Sequence, residues 1–170
     1  MKNICVVGLG YVGLPMAVLA AKKGYKVIGF DVDAELVRCV RKGESKLKDR
    51  FITENLYNVV TNETLIPTTD EADIRNIDIF VICVPTPITG NKEADFQPLK
   101  SALDVIGKHL KDNRLLIVES TVYPGTCQTV LAPYIKSKFC VTEGKEYSLV
   151  HCPERVNPGD EVWNSENITR

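Results

Sequence analysis

Short apolar runs separated by amphipathic stretches set the rhythm of this chain. Residues 4–7, 26–30, 77–84, 115–118 and 147–150 are rich in Val, Ile and Leu and mostly apolar at successive positions. Strands that are apolar on both faces belong in a parallel sheet buried between helix layers. Residues 65–66 make a weaker sixth candidate.

Between these runs the apolar positions change period. Leu99, Ala102, Leu103, Ile106 and Leu110 follow helical spacing, as do Cys127, Val130, Leu131, Tyr134 and Ile135. Pro133 lacks the N–H a helix interior needs and is expected to kink or shorten the second of these. A helix is expected over residues 14–23, with Pro15 in its first turn, where proline is tolerated. Leu36, Val37 and Val40 form the core face of another, leaving Arg38, Arg41 and Lys42 outside. Residues 43–67 are the least legible, charged at first and then a short helix near 55–60. This alternation predicts an α/β fold: a Rossmann-like doubly wound parallel sheet of about six strands with helices on both faces.

Composition narrows the partners. A chain of 170 residues is long enough for one domain with its own core. Its net charge of -1 argues against nucleic acid or an anionic membrane, both of which attract a clear basic excess. No apolar run approaches the roughly 20 residues that span a bilayer, and the N-terminus lacks a signal-peptide pattern. A cytoplasmic protein is expected. The six cysteines form no C-x-x-C pair and read as small buried hydrophobes. With two histidines, they offer no metal-ligand spacing.

The first chemical signal is Gly8-Leu9-Gly10-Tyr11-Val12-Gly13. A lone G-x-G-x-x-G is weak, but this one follows a predicted strand, opens a predicted helix, and precedes a second strand ending at Asp31. Gly8 makes the tight turn, Gly10 admits a pyrophosphate close to the backbone, and Gly13 lets helix and strand pack. Gly8, Gly10, Tyr11, Val12 and Gly13 are therefore the expected cofactor loop, with the phosphates at the helix N-terminus. Asp31 selects the cofactor. Its carboxylate can accept from the ribose hydroxyls of NAD, whereas the 2′-phosphate of NADP would face a like charge. At about 4 Å that repulsion is ~1 kcal/mol in water and ~4 kcal/mol at an intermediate dielectric. The cofactor expected is NAD. A helix N-cap role fits Asp33 better than Asp31.

Ligands of open parallel sheets bind beyond the carboxyl ends of the strands. Val84-Pro85-Thr86-Pro87 there is either a rigid wall beside the cofactor or a plain turn. The stretch from Glu119 through Ser120 and Thr121 to Gly125 brings a carboxylate and two hydroxyls to a strand end. Glu154 follows Pro153 in a proline-braced loop, where it is either a surface charge or a carboxylate held for chemistry.

Together, VGLGYVGLPMA, CVPTP, ESTVYPGT and PERVNPGD resemble the UDP-glucose/GDP-mannose (nucleotide-sugar) dehydrogenase family, in order and over nearly the whole chain. The PERVNPG form looks like the branch acting on UDP-N-acetylhexosamines. The resemblance implies two-step oxidation of the sugar C6 alcohol to a carboxylate with two NAD⁺, through a cysteine-bound thiohemiacetal and thioester. It implies that Thr121 helps hold the catalytic water and that Glu154 assists proton transfer or hydrolysis. Val84, Pro85, Thr86, Ser120 and Thr121 would line the cofactor. A UDP-sugar substrate and a homodimeric full-length protein are implied as well.

Two departures bear on this reading. Pro158 stands where the UDP-glucose branch often has a second acidic residue. The family also continues beyond the equivalent of Arg170 into a central helix and a second α/β domain, which carry the nucleophilic cysteine, a catalytic lysine and most of the sugar pocket. Cys152 is no substitute. The expectation is one NAD-binding domain over residues 1–170, with its core at 1–152 and the active-site loop and the start of a further region at 153–170. It would be inactive alone. A stand-alone NAD-binding or sensing module, or the first domain of a 3-hydroxyacid or 6-phosphogluconate dehydrogenase, would share the glycine loop. The latter pair leaves PERVNPGD unexplained.

Overall fold

The computed structural model describes residues 2–155. Six strands, β1 (Asn3–Val7), β2 (Lys26–Phe30), β3 (Leu65–Thr68), β4 (Ile79–Ile82), β5 (Arg114–Val118) and β6 (Tyr147–His151), form one sheet. Their order is β3-β2-β1-β4-β5-β6, and every neighbouring pair is parallel. The chain thus winds outward from β1 in one direction and then from β4 in the other, leaving a crevice between β1 and β4. That is the doubly wound arrangement the apolar runs predict, with the weak run at residues 65–66 seated as an edge strand.

Five α-helices cover the two faces: α1 (Gly13–Lys22), α2 (Ala34–Arg41), α3 (Arg50–Thr61), α4 (Gln97–Ile106) and α5 (Ala132–Phe139). Alternate residues of the strands feed two separate cores. Val6, Val27 and Val81 pack with Leu14, Val18, Val37, Val40, Ile52 and Leu56 from α1, α2 and α3. Val7, Phe80, Ile82 and Leu116 pack with Leu99, Leu103, Leu131 and Ile135 on the opposite face. Strands clothed on both sides need no polar face, which is why their sequence shows no period-two alternation.

The structure corrects several local expectations. α3 is a twelve-residue helix rather than a short one near 55–60. Its N-cap is Asp49, whose carboxylate accepts from the Ile52 N–H, so the start lies within the charged stretch that obscured it. β4 is shorter than residues 77–84, although Ile77 and Cys83 stay buried. α4 stops at Ile106, and a 3₁₀ turn (Gly107–His109) carries Leu110 into the core. The irregularity expected at Pro133 is a π-helical turn (Cys127–Leu131) that runs into α5, with the Ala132 N–H donating to the Cys127 carbonyl. Of the cysteines, Cys5, Cys83 and Cys127 are buried as expected, Cys39 and Cys152 are half-buried, and Cys140 is exposed. No helix among the described residues is long and apolar enough to cross a membrane.

Candidate cofactor site at the carboxyl edge of the sheet

The three glycines of the first loop have distinct surroundings. Gly8 has φ 93° and lies against β4, where a Cβ would come within 2.8 Å of the Cys83 carbonyl oxygen. A Cβ on Gly13 would lie 1.8 Å from the Gly8 carbonyl oxygen, far closer than any van der Waals contact allows. Both positions are closed to any side chain. Gly10 is the opposite, because a Cβ there would meet nothing within 4 Å. The loop is therefore packed tightly at its two ends and open at its middle. α1 begins behind it with Val12 as N-cap, without a side-chain cap or an acidic residue in the first turn. The positive end of the helix dipole consequently faces the open side of the loop. Tyr11 stands there 71% exposed, with Val12 half-buried beneath it.

Asp31 follows β2 directly. Its Oδ2 accepts from the Leu9 N–H at 2.7 Å and its Oδ1 from the Asp33 N–H at 2.9 Å. The carboxylate is thus a tether between the end of β2 and the glycine loop, with lone pairs remaining for a ligand. Asp33, not Asp31, caps α2, accepting from the Glu35 and Leu36 N–H groups. Arg38 is exposed, and Arg41, though exposed, has its Nη2 donating to the Pro67 carbonyl at 2.9 Å. That bond anchors Arg41 to the edge strand β3.

The next two strand ends are bolted together. Ser120 is buried, and its Oγ donates to the Val84 carbonyl at 2.7 Å. The family resemblance places Ser120 against the cofactor; in the fold its hydroxyl also joins the β5 loop to the β4 loop at Val84. Pro85 is exposed, while Val84 and Thr86 are half-buried. Thr121 is exposed. Thr121 and Glu154 lie in the loops that leave neighbouring strands: Val118 and His151 are the last paired residues of β5 and β6, and each of the two lies three residues beyond its strand end. Glu154 is half-buried, and its Oε1 accepts from the Arg155 N–H at 2.7 Å. The rest of that loop, including Pro158, lies outside the described residues.

Beside these ends a cleft of about 220 Å³ opens between the β5 loop and β6, lined by Val122, Tyr123, Thr126, Cys127, Leu149 and His151 among others. Tyr123 also leans on Phe96, their ring centroids 5.6 Å apart. Burial raises the pKa of the Cys127 thiol, with the Glu143 charge adding to the effect. A thiol kept protonated is a poor nucleophile. Among the described residues no cluster of three or more His, Cys, Asp or Glu could hold a metal ion.

One polar residue at this edge belongs to no motif role assigned above. Glu119 is only 4% exposed, and its Oε2 lies 4.0 Å from the Cys83 thiol, which donates to it. Its signal in the sequence is a carboxylate one residue past an apolar strand, at a position that alternation assigns to the buried side.

The open centre of the glycine loop, the uncapped start of α1 and the carboxylate of Asp31 at the end of β2 lie side by side, an arrangement whose chemistry fits a dinucleotide. The NAD binding domain model of the UDP-glucose/GDP-mannose dehydrogenase family matches residues 2–170. A UDP-N-acetyl-D-mannosamine dehydrogenase of Methanococcus aeolicus is 38% identical over 163 residues, covering 94% of this chain and 35% of that protein. A UDP-N-acetyl-D-glucosamine 6-dehydrogenase of Pseudomonas aeruginosa is 35% identical over 168 residues, covering 99% and 39%. The solved structure of a UDP-D-ManNAc dehydrogenase from Pyrococcus horikoshii superposes with a TM-score of 0.87 at 33% identity, covering 92% of this chain and 37% of that one. The chain therefore spans well under half the length of these relatives.

Proposed function

We infer function from membership: the chain belongs to the UDP-glucose/GDP-mannose dehydrogenase family and is its NAD binding domain. We propose that in the whole protein this domain serves oxidation of the C6 alcohol of a UDP-N-acetylhexosamine to the uronic acid. The relatives named for N-acetylmannosamine and N-acetylglucosamine substrates support that sugar class. The overall reaction takes one alcohol, one water and two NAD⁺ to one carboxylate, two NADH and three protons. NAD supplies the hydride acceptor; the chain's own residues bind, orient and handle protons.

In this reading the backbone of Gly8, Gly10, Tyr11, Val12 and Gly13 and the start of α1 receive the pyrophosphate. Asp31 takes the adenosine ribose and disfavours a 2′-phosphate. Val84, Pro85 and Thr86 form a wall for the nicotinamide half, and Ser120, which donates to the Val84 carbonyl, lines the cofactor beside it. Thr121 and Glu154, in the loops that leave the neighbouring strands β5 and β6, serve the substrate side. Thr121 would hold the attacking water and Glu154 would transfer protons within hydrogen-bond reach. The nucleophilic cysteine and most of the sugar pocket are assigned to the part of the protein beyond this chain, and the domain alone is expected to bind without catalysing.

The observation that carries this reading is Gly10, open on its outer side at the uncapped start of α1, with Asp31 tethered beside it. Calorimetric titration with NAD⁺ and NADP⁺ tests it. NAD⁺ should saturate, with NADP⁺ at least about tenfold weaker, and Asp31→Asn should remove most of that preference. Binding of neither, by a chain shown to be folded, overturns the cofactor reading. The full-length protein, assayed with UDP-N-acetylmannosamine and UDP-N-acetylglucosamine, tests the substrate class. No oxidation of either would sink it.

A further inference from the structure

A second cleft, of about 340 Å³, is formed by residues that have no part in the binding roles above. Asp70, Glu71, Ala72 and Arg75, in and beside the turn after β3, line one wall, and Lys108 and His109, from the turn after α4, line the other. Both walls are fixed from beneath. The 3₁₀ turn Glu71–Ile74 sinks Ile74 into the core shared with Ile106 and Leu110, which flank the other turn. Thr68, buried at the end of β3, donates to the Asp73 carboxylate at 2.6 Å and accepts from the Asp70 N–H at 2.9 Å. The backbone around the cleft is thus set before a ligand arrives, which lowers the cost of binding one.

The charges in this cleft are partly uncommitted. Lys108 Nζ pairs with Glu71 Oε2, and Asp70 Oδ1 accepts from the Ala72 N–H. Arg75 is exposed and makes no hydrogen bond or ion pair among the described residues. Burial lowers the His109 pKa, and Lys108, Arg75 and Lys111 lower it further against the opposing Glu71, so cations prevail around the ring. The neutral imidazole, its Nε2 buried without a partner, is a wall of the cleft and does not compete for the carboxylates. A guanidinium with its donors unused, beside an ammonium, suits the oxygens of a phosphate group. The two carboxylates would repel a bare phosphate, but their remaining lone pairs accept from hydroxyl groups. The volume lies at the small end of ligand pockets, which suits a monosaccharide better than a nucleotide. We propose that this cleft binds a phosphorylated sugar, with Arg75 and Lys108 on the phosphate and Asp70 and Glu71 on the sugar hydroxyls. The inference stands independently of the NAD reading given above.

Calorimetry on the full-length protein with glucose 6-phosphate, inorganic phosphate and glucose tests it, in wild type and in Arg75→Gln, Lys108→Gln and Glu71→Gln. All three side chains are exposed, so the variants should keep the wild-type melting temperature to within about two degrees. Glucose 6-phosphate should bind, with inorganic phosphate at least about tenfold weaker and glucose weaker still. Arg75→Gln and Lys108→Gln should each weaken glucose 6-phosphate at least about tenfold, the loss of one charge-assisted contact. Glu71→Gln should narrow the gap between the sugar phosphate and inorganic phosphate, because a neutral amide repels phosphate less and accepts from hydroxyls more weakly. No binding of glucose 6-phosphate overturns the proposal. Binding that survives both Arg75→Gln and Lys108→Gln also overturns it, by placing the ligand elsewhere in the protein. Inorganic phosphate as tight as glucose 6-phosphate does the same, by leaving the carboxylates without a hydroxyl to hold.

Discussion

At the scale of single residues, one loop holds glycines that a motif treats alike and the structure does not. Gly13 cannot accept a methyl group, because the Gly8 carbonyl oxygen occupies its place at 1.8 Å. Gly10 can, because its outer side is open. Gly13→Ala should therefore fall in the rare class of substitutions costing more than about 4 kcal/mol, visible as loss of a cooperative thermal transition. Gly10→Ala should leave the melting temperature within a degree or two while lowering NAD⁺ affinity more than about tenfold, since its methyl group sits where the pyrophosphate approaches. Equal damage to stability from both would contradict the geometry. The tight turn at Gly8 and the close packing at Gly13 were legible in the spacing. The Ser120–Val84 bolt and the burial of Glu119 were not, since both depend on a neighbouring strand thirty-six residues away in sequence.

At the scale of elements, caps and breakers decide where the pattern starts and stops. α2 begins at Asp33 and α3 at Asp49, each with its carboxylate on first-turn N–H groups. Asp33→Ala should cost about 1 kcal/mol in chemical denaturation and leave NAD⁺ affinity nearly unchanged, separating it from Asp31 two residues earlier. A large loss of affinity would show that the turn after β2 depends on this cap. Periodicity found the long helices because their apolar faces are continuous. It understated α3, whose Phe51 and Ile52 lie in a charged segment and reach the core only when the helix packs on α1. The π-turn before α5 was legible only as a proline problem. Its form is set by the need to keep Cys127, Leu131 and Ile135 on one buried side.

At the scale of the whole molecule, burial turns titratable groups into a pH dependence of stability. Tyr147 is 1% exposed at the start of β6, and its hydroxyl has no hydrogen-bond partner among the described residues. Burial, with the Glu143 charge adding, pushes its pKa up to about 12. The folded state therefore holds the phenol proton more tightly than the unfolded chain, whose tyrosines titrate near 10. The stability this represents is fully present below about pH 10 and is lost as pH rises toward 12, up to about 2–3 kcal/mol. Tyr147→Phe should flatten that alkaline decline and be nearly neutral at pH 7, because it removes a hydroxyl that makes no bond. Denaturation midpoints from pH 7 to 11 would check it, and an unaltered slope would refute it. His109 acts at the other end. Burial and the nearby Lys108 and Arg75 lower its pKa, so its contribution is present above about pH 6.5 and lost as acid protonates it.

The sequence by itself determined the architecture, the glycine turn after β1 and the family. Strand and helix periods, a glycine turn and a carboxylate at a strand end are local patterns, and each follows from the chemistry of residues close together along the chain. Tertiary structure alone decided which side chains at the sheet's edge are free for a ligand and which are committed. Ser120 is held by the Val84 carbonyl, Arg41 by that of Pro67, and Glu119 is closed in beside Cys83. The physical reason is that parallel strands meet only through crossovers. Residues distant in sequence become neighbours at their carboxyl ends, where hydrogen bonding and burial are assigned by whichever strand lies alongside.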